Sequence, residues 1–213
     1  MISISQNWLF IHLMRTGGNS VQSVLACYSE DKFTTSRGQD GVDRFGVQGH
    51  YTGHKHFSLQ DYADVVPPDI FSGLFKFTVV RNPWARAISA FFLPLRWMGR
   101  QPHWSIEEFR HEIQDMPCMA SQLKLNGVPG QLDMILRFEN LETDFAALTA
   151  RLGIGTGAIL PHRNKGHSFE NWQHYYLRSP DLIDFVAELF AEDIQLFGYN
   201  AASVYAKTAP PFP

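Results

Sequence analysis

The chain has 213 residues, of which 45% are hydrophobic, with a formal net charge of −3 and a pI near 6.3. This length suits one domain with a substantial core, predicted to span residues 1–213 with a loose tail from 199 to 213. The small net charge predicts no binding to nucleic acid, and no run reaches the roughly 18 apolar residues of a membrane span. Any anion site must therefore depend on individual basic residues.

The cysteines and the first residues predict where the protein is located. Cys27 and Cys118 lie in apolar or helical contexts that favour small buried thiols over a disulfide pair or metal ligands. The first residues, "MISISQNWLFIHL", lack the basic region and long apolar stretch of a secretion signal. These features predict a cytoplasmic protein in a reducing compartment, and they leave its oligomeric state open.

The first predicted elements are a buried strand and the helix that follows it. The stretch "FIHLMRTGGNSVQSVL" begins with an apolar run, breaks at Arg-Thr-Gly-Gly-Asn-Ser, and resumes at Val21, Val24 and Leu25 with helical spacing. Glycines let the backbone approach a ligand, Ser20 is a candidate N-cap, and the N–H groups of a first helical turn bind anions. The turn therefore predicts a site for a phosphate-like group.

A second strand and helix follow a polar stretch. Residues 34–53 are rich in glycine and predict a long surface loop, and "SLQDYADVV" from Ser58 predicts a short capped helix. "LFKFTVV", residues 74–80, has the continuous apolar pattern of a parallel core strand. Asn82 can cap the next helix, and Pro83 takes its first position. The chain therefore repeats the order of strand, turn and helix.

A basic residue ends this second strand. Kinases and ATPases usually place an acidic magnesium ligand there, whereas this chain has Arg81, and it has no GxxxxGK[ST] motif. Ser89 follows eight residues after Arg81. The arrangement favours direct binding of an anion, and a surface salt bridge is the alternative role of Arg81.

The rest of the chain continues the alternation. "SIEEFRHEIQ" predicts a short helix, "DMILRF" a third core strand, and "NLETDFAALTARLG" a helix that stops at Gly153. A final helix is predicted from Ser179 to Phe197. Strands that alternate with helices predict an α/β fold, a central parallel β-sheet flanked by helices with ligands at the carboxyl ends of the strands.

Two motifs resemble those of a known family. "FIHLMRTGGNS" resembles the 5′-phosphosulfate loop, commonly PKTGGTS, of sulfotransferases that use 3′-phosphoadenosine-5′-phosphosulfate (PAPS), in the branch with carbohydrate sulfotransferases. "FTVVRNPWARAIS" resembles the 3′-phosphate motif of that family, and "HKHFSL", "LRFENL", "LPHRNKG" and "DIQLFGY" extend the resemblance over residues 10–199. It implies a P-loop-NTPase-like fold, PAPS as co-substrate, 3′,5′-diphosphoadenosine (PAP) as product, no metal, and sulfuryl transfer to a hydroxyl or amine.

The resemblance also implies which residues bind the nucleotide. Arg81 and Ser89 would bind the 3′-phosphate. The residues that would surround the 5′-phosphosulfate are Arg15, Thr16, Gly17, Gly18, Asn19 and Ser20. A basic loop that closes over the nucleotide would be Arg163, Lys165 and Gly166. A solvated surface loop is the alternative for these last three.

Two histidines are candidates for the general base. If Lys55 is locally extended, His54 and His56 point to the same side. The resemblance to His-Gly-His-x-Ser in carbohydrate sulfotransferases favours His56 as the base, with His54 in support. A metal site that includes His50, or a solvated loop, is the alternative, although no carboxylate or cysteine has convincing ligand spacing.

Arg15 departs from the family pattern, which usually has lysine at this position. Lysine can both neutralise and protonate the leaving phosphate oxygen, whereas arginine supplies charge and a hydrogen-bonding fork but does not donate its proton. Two alternatives to a sulfotransferase stay open. Arginine at this position suggests a non-catalytic relative that binds PAP or a glycan, and the other alternative is a divergent nucleotide-dependent kinase.

The acceptor site is predicted in "FFLPLRWMGRQPHW", which mixes aromatic and basic side chains. Such a mixture suits stacking on a sugar and binding of an anionic substituent. The candidates are Arg96, Trp97, Arg100, His103 and Trp104. Burial of the tryptophans in a core or a subunit contact is the alternative. A small molecule or a saccharide is the expected partner. Carbohydrate is the preferred acceptor class, and a small alcohol, a phenol, an amine or a lipid headgroup is the alternative.

Overall fold

The structure is a computed structural model that describes residues 1–29, 56–97, 99, 103–155, 160 and 171–205, with the backbone alone for 93–97. Its strands are β1 (Ile2–Ser3), β2 (Trp8–Ile11), β3 (Phe75–Val80), β4 (Lys124–Leu125), β5 (Val128–Pro129) and β6 (Met134–Arg137). Its helices are α1 (Gly18–Leu25), α2 (Leu59–Val65), α3 (Pro68–Gly73), α4 (Pro83–Trp97), α5 (Ile106–Ile113), α6 (Met119–Gln122), α7 (Leu141–Leu152), α8 (Gln173–Leu177), α9 (Asp181–Leu189), α10 (Ala191–Phe197) and α11 (Ala202–Tyr205).

The chain divides into two compact units. One unit consists of Met1–Val80 and Ser121–Arg163, and the other of Arg81–Ala120 and Asn164–Pro213. The first unit contains the β-sheets, and the described part of the second is helical. A single domain over residues 1–213 stays a prediction.

The main sheet of the first unit has the strand order β1-β2-β3-β6. β2, β3 and β6 run parallel, with Phe10 opposite Phe77 and Phe77 opposite Met134, while β1 pairs antiparallel to β2. Parallel strands need crossover connections, and helices supply them here. The predicted α/β class, a parallel sheet with helices packed on it, is confirmed.

The hydrophobic core of the first unit lies between the sheet and two helices. It joins one face of the sheet to α1 and α7 through Trp8, Phe10, Phe77, Val79, Leu136, Val21, Leu25, Phe145 and Leu148. Leu9, Ile11 and Val80, on the opposite face, are also buried, as expected of parallel strands covered on both sides. The predicted third core strand differs, because β6 ends the described sheet and buries only Leu136.

The second unit packs helices around aromatic side chains. The indole N–H of Trp84 donates to the carbonyl of Ile183 at 3.1 Å, and the Tyr176 hydroxyl donates to the carbonyl of Trp84 at 2.8 Å. These bonds join α4 to α8 and α9. They satisfy polar groups that would otherwise be costly to bury in the core.

An ion pair lies inside the same unit. Arg86 and Asp193 are both fully buried, and their Nη1 and Oδ2 atoms are 3.5 Å apart. Asp193 also accepts the backbone N–H groups of Met119 at 3.0 Å and Ala120 at 2.7 Å, while burial raises its pKa. The carboxylate thereby joins α10 to α4 and to the start of α6. Removal of one partner would leave an uncompensated buried charge.

Two sequence predictions about the C-terminal region were inaccurate. The helix predicted from Ser179 to Phe197 is two helices, because Phe190 leaves the helical conformation with φ −114° and ψ 31°. Within the predicted tail, α11 is helical and Val204 is fully buried, and residues 206–213 lie outside the described part.

Two further findings concern thiols and membrane spans. Cys27 is exposed rather than buried, Cys118 is half-buried, and both are free thiols. Within the described ranges, no helix combines the length and the apolar character needed to cross a membrane.

Candidate active site

The glycine turn begins where β2 ends. His12 to Gly17 connect β2 to α1, and two residues of this turn have positive φ, Arg15 at 67° and Gly17 at 88°. The first turn of α1 contains no acidic residue. The N–H of Ser20 donates to the carbonyl of Gly17 at 3.0 Å, and the other N–H groups at this helix start can form a cradle for an anion.

Both glycines of the turn are required by space. A Cβ on Gly17 would lie 2.7 Å from Cδ2 of Phe138, and Gly17 is also in the left-handed conformation. Gly18 has no positive φ, but its Cβ would collide with Cδ2 and Nε2 of His12. The missing side chain therefore lets the helix start pack against neighbouring side chains, and at Gly17 it also permits the left-handed backbone conformation.

The structure corrects the predicted cap of α1. The N-cap is Gly17 rather than Ser20, and it has no side-chain cap bond. The left-handed conformation of Gly17 lets the chain enter the helix at Gly18, so Ser20 lies inside the first turn. The Thr16 hydroxyl donates to the carbonyl of Leu13 at 3.0 Å, which stabilises the turn itself.

His56 lies two residues before the capped start of α2. The Ser58 side chain accepts the N–H of Asp61, and the Asp61 carboxylate accepts the N–H of Ser58, which forms a capping box. Nδ1 of His56 is 2.8 Å from the carbonyl oxygen of His12. A carbonyl only accepts, so Nδ1 carries the hydrogen, and Nε2 is the basic nitrogen of the neutral ring.

His12 is a site residue that sequence reasoning missed. Its ring is 3% exposed and lies 4.9 Å from the ring of His56, centroid to centroid. The same ring faces Gly18, so it lies between the predicted base and the glycine turn. One sequence feature could have identified His12: it lies two residues after Phe10, which puts both side chains on the same side of an extended chain.

The second predicted turn belongs to the second unit. Arg81 directly follows β3 and is 5% exposed, and Ser89 on α4 is 6% exposed. Asn82 caps α4 as predicted, because its Oδ1 accepts the N–H groups of Trp84 at 3.1 Å and Ala85 at 3.2 Å. Its Nδ2 donates to Oγ of Ser203 at 2.8 Å. Arg81 is buried and therefore not a surface residue, and its role in anion binding stays a prediction.

The acceptor candidates have different surroundings. Trp104 packs among aromatic rings, with its ring centroid 4.6 Å from that of Tyr175 and 5.0 Å from that of Phe109. This packing agrees with the alternative of a core tryptophan. His103 is exposed, and its Nε2 donates to the Glu108 carboxylate at 2.6 Å. The side chains of Arg96 and Trp97 lie outside the described part, as do all atoms of Arg100.

Some predicted nucleotide-binding and catalytic residues also fall outside the described ranges. They are His54, Arg163, Lys165 and Gly166. Within those ranges, no group of three or more His, Cys, Asp or Glu side chains is arranged to hold a metal ion.

The fold and the turn define an α/β protein with a glycine-rich turn between a parallel strand and a helix. A family model described as "Sulfotransferase family" matches residues 1–200. The chain belongs to this family, and the resemblance seen in its motifs is confirmed at that level.

A solved structure provides a more distant likeness. It is described as the crystal structure of a sulfotransferase from Alicyclobacillus acidocaldarius, and its sequence is 17% identical to this one. The match covers 94% of this chain and 98% of that chain with a TM-score of 0.48. No curated protein matches the chain.

Proposed function

We propose that the protein transfers a sulfuryl group from PAPS to an acceptor hydroxyl, with a saccharide as the acceptor class. Membership of the sulfotransferase family supports an enzyme of sulfotransfer in general. One observation carries the fuller proposal: His56, with its hydrogen on Nδ1, contacts His12, whose ring faces Gly18 of the anion cradle. A base and an anion cradle in adjacent positions suit group transfer from an anionic donor.

In this proposal the glycine turn binds the 5′-phosphosulfate. The first-turn N–H groups of α1 hold its oxygens, and Arg15 stabilises the charge that develops on the leaving phosphate oxygen. The residues assigned to this part of the site are Arg15, Thr16, Gly17, Gly18, Asn19 and Ser20. The Thr16 hydroxyl already donates a hydrogen bond within the turn, so we assign phosphate binding at this residue to its backbone.

His56 supplies the base. Its Nε2 accepts the proton of the acceptor hydroxyl as that oxygen forms a bond to sulfur. The bond between sulfur and the 5′-phosphate oxygen breaks, and its electron pair leaves with PAP. Arg15 balances this negative charge but keeps its own proton. We propose that His54 supports His56 and that the transfer involves no covalent enzyme intermediate and no metal.

We assign the 3′-phosphate to Arg81 and Ser89. A guanidinium forms paired hydrogen bonds to phosphate, and a hydroxyl adds another donor. The proposed closing loop is Arg163, Lys165 and Gly166, and the proposed acceptor contacts are Arg96, Trp97, Arg100, His103 and Trp104. A cytoplasmic location is also part of the proposal.

The 3′-phosphate assignment predicts a binding preference. PAP is expected to bind at least tenfold more tightly than adenosine 5′-phosphate, because a charge-assisted contact contributes about 1.5–3 kcal/mol. Isothermal calorimetry on the whole protein measures both dissociation constants.

Two arginine variants distinguish a specific 3′-phosphate contact from a general effect of positive charge on nucleotide binding. Arg81→Ala is expected to remove most of the preference for PAP, whereas Arg178→Ala, at an exposed arginine of the same unit, should retain it. Equal affinities of the unmodified protein for the two nucleotides would contradict the assignment of Arg81 and Ser89.

Two other functions give different results in the same experiments. A divergent kinase would require magnesium and prefer ATP to PAP. Family membership disfavours a kinase, and so does the arginine that directly follows Val80 where a kinase has an acidic residue. A non-catalytic relative, suggested by arginine at position 15, would bind PAP and transfer no sulfate to any acceptor.

A further inference from the structure

We propose that His12 is a positioning residue that holds the imidazole of His56 and connects it to the glycine turn. The inference rests on the proposed function, because it assumes that His56 is the general base. It adds a residue that takes no part in the proton transfer itself. It also assigns to Gly18 a function beyond anion binding.

His12 contacts His56 in two ways. Its backbone carbonyl accepts the Nδ1–H of His56 at 2.8 Å, and its ring meets the His56 ring with a centroid separation of 4.9 Å and an angle of 69°. The carbonyl determines which nitrogen of His56 carries the hydrogen. The ring restricts rotation of the His56 imidazole about that hydrogen bond. A single residue therefore sets both the tautomer and the orientation of the base.

The His12 ring is itself held by the sheet. It stacks on Phe10 at 5.4 Å and 19°, and Phe10 stacks on Phe77 of the neighbouring strand at 5.2 Å and 16°. His12 is 3% exposed. This row of rings extends from β3 through β2 to His56, so the core of the first unit restrains the imidazole of the base.

Gly18 connects the same ring to the anion cradle. It has ordinary helical backbone, which alanine adopts readily, yet a Cβ there would collide with Cδ2 and Nε2 of His12. The ring is packed against Phe10 and His56, so it cannot move away without disturbing them. A change in the glycine turn at residue 18 is therefore transmitted to His56 through His12.

The test compares His12→Leu with the unmodified protein. Leucine retains the backbone carbonyl and most of the volume but removes the ring. We expect kcat for sulfate transfer to fall about 10- to 100-fold, a range typical of a misplaced catalytic group, with the dissociation constant of PAP changed less than threefold. A purely structural role would not separate kcat from nucleotide binding in this way.

A second readout does not depend on activity. NMR of the ¹⁵N-labelled histidines of the unmodified protein should show His56 with its hydrogen on Nδ1. Loss or displacement of the His12 ring in His12→Leu and Gly18→Ala should let the His56 imidazole rotate away from the retained carbonyl. The Nδ1–H hydrogen bond then weakens, and the His56 ring nitrogens should shift towards the values of a mixture of tautomers. The matched control is Phe145→Leu, which removes a buried ring from the same core and should leave the His56 signals unchanged.

The outcomes distinguish this inference from the proposed function. Unchanged His56 nitrogen signals in folded His12→Leu and Gly18→Ala would overturn the role of His12, whatever the activity. If the His56 signals shift as expected but His56→Ala transfers sulfate at the normal rate, the contacts are confirmed and the assignment of the base is wrong.

Discussion

Replacement of His56 by alanine is expected to lower kcat for sulfate transfer by about 10²–10⁴-fold, the usual effect of losing a general base. PAP affinity should change little, because the imidazole is assigned to the acceptor hydroxyl rather than to the nucleotide phosphates. Steady-state turnover with labelled PAPS, together with calorimetric titration of PAP, measures the two quantities on the same preparation.

A matched control removes a histidine elsewhere. His174 is exposed on α8, so His174→Ala should retain full turnover. The comparison with His54→Ala decides between the two neighbouring histidines. Normal turnover of His56→Ala with a large loss in His54→Ala would show that the assigned roles of base and supporting residue are reversed.

Replacement of Arg15 by alanine is expected to raise the activation barrier by about 3 kcal/mol, which is roughly a hundredfold loss of rate. The reason is the loss of a fixed cation at the oxygen where negative charge develops. Arg15 has a φ of 67°, a conformation that costs alanine and arginine similar strain, so the comparison reports mainly on the side chain. Single-turnover kinetics with saturating PAPS measures the effect.

Arg15→Lys is the more discriminating variant. Lysine keeps the charge, loses the fork and can donate a proton, so activity should be retained, or raised if protonation of the leaving oxygen limits the rate. Arg178→Ala, at an exposed arginine, serves as the control for loss of a positive charge. An unchanged rate in Arg15→Ala would show that the leaving group does not lie at the glycine turn.

Much of the fold could be predicted because local and global signals agree. The apolar run of β3 and the cap of α4 at Asn82 are both encoded within a few residues, and both are present in the structure. The N-terminus of α1 could not be placed as well, because a serine side chain suggested a cap where the conformation of Gly17 starts the helix. The break at Phe190 and the exposure of β6 depend on tertiary packing, which apolar periodicity does not report.

The candidate site was predicted unevenly for the same reason. His56 was identified through a motif resemblance, and the hydrogen bond that fixes its tautomer joins residues 44 positions apart in the chain. Sequence alone cannot show that contact, so sequence reasoning assigned no role to His12. The sequence predicted that Gly18 lets the backbone approach a ligand closely, whereas the structure shows that its small size leaves room for the His12 ring.

The most direct test of the central claim is an acceptor screen with radiolabelled PAPS, in which products are identified by mass spectrometry. The account predicts that label moves to a saccharide hydroxyl without added magnesium, that one PAP forms for each sulfate transferred, and that His56→Ala suppresses the transfer. Tight binding of PAP with no transfer to any acceptor, and sulfate transfer by Arg15→Lys alone, would contradict it and identify the unmodified protein as a binding relative that lacks catalysis.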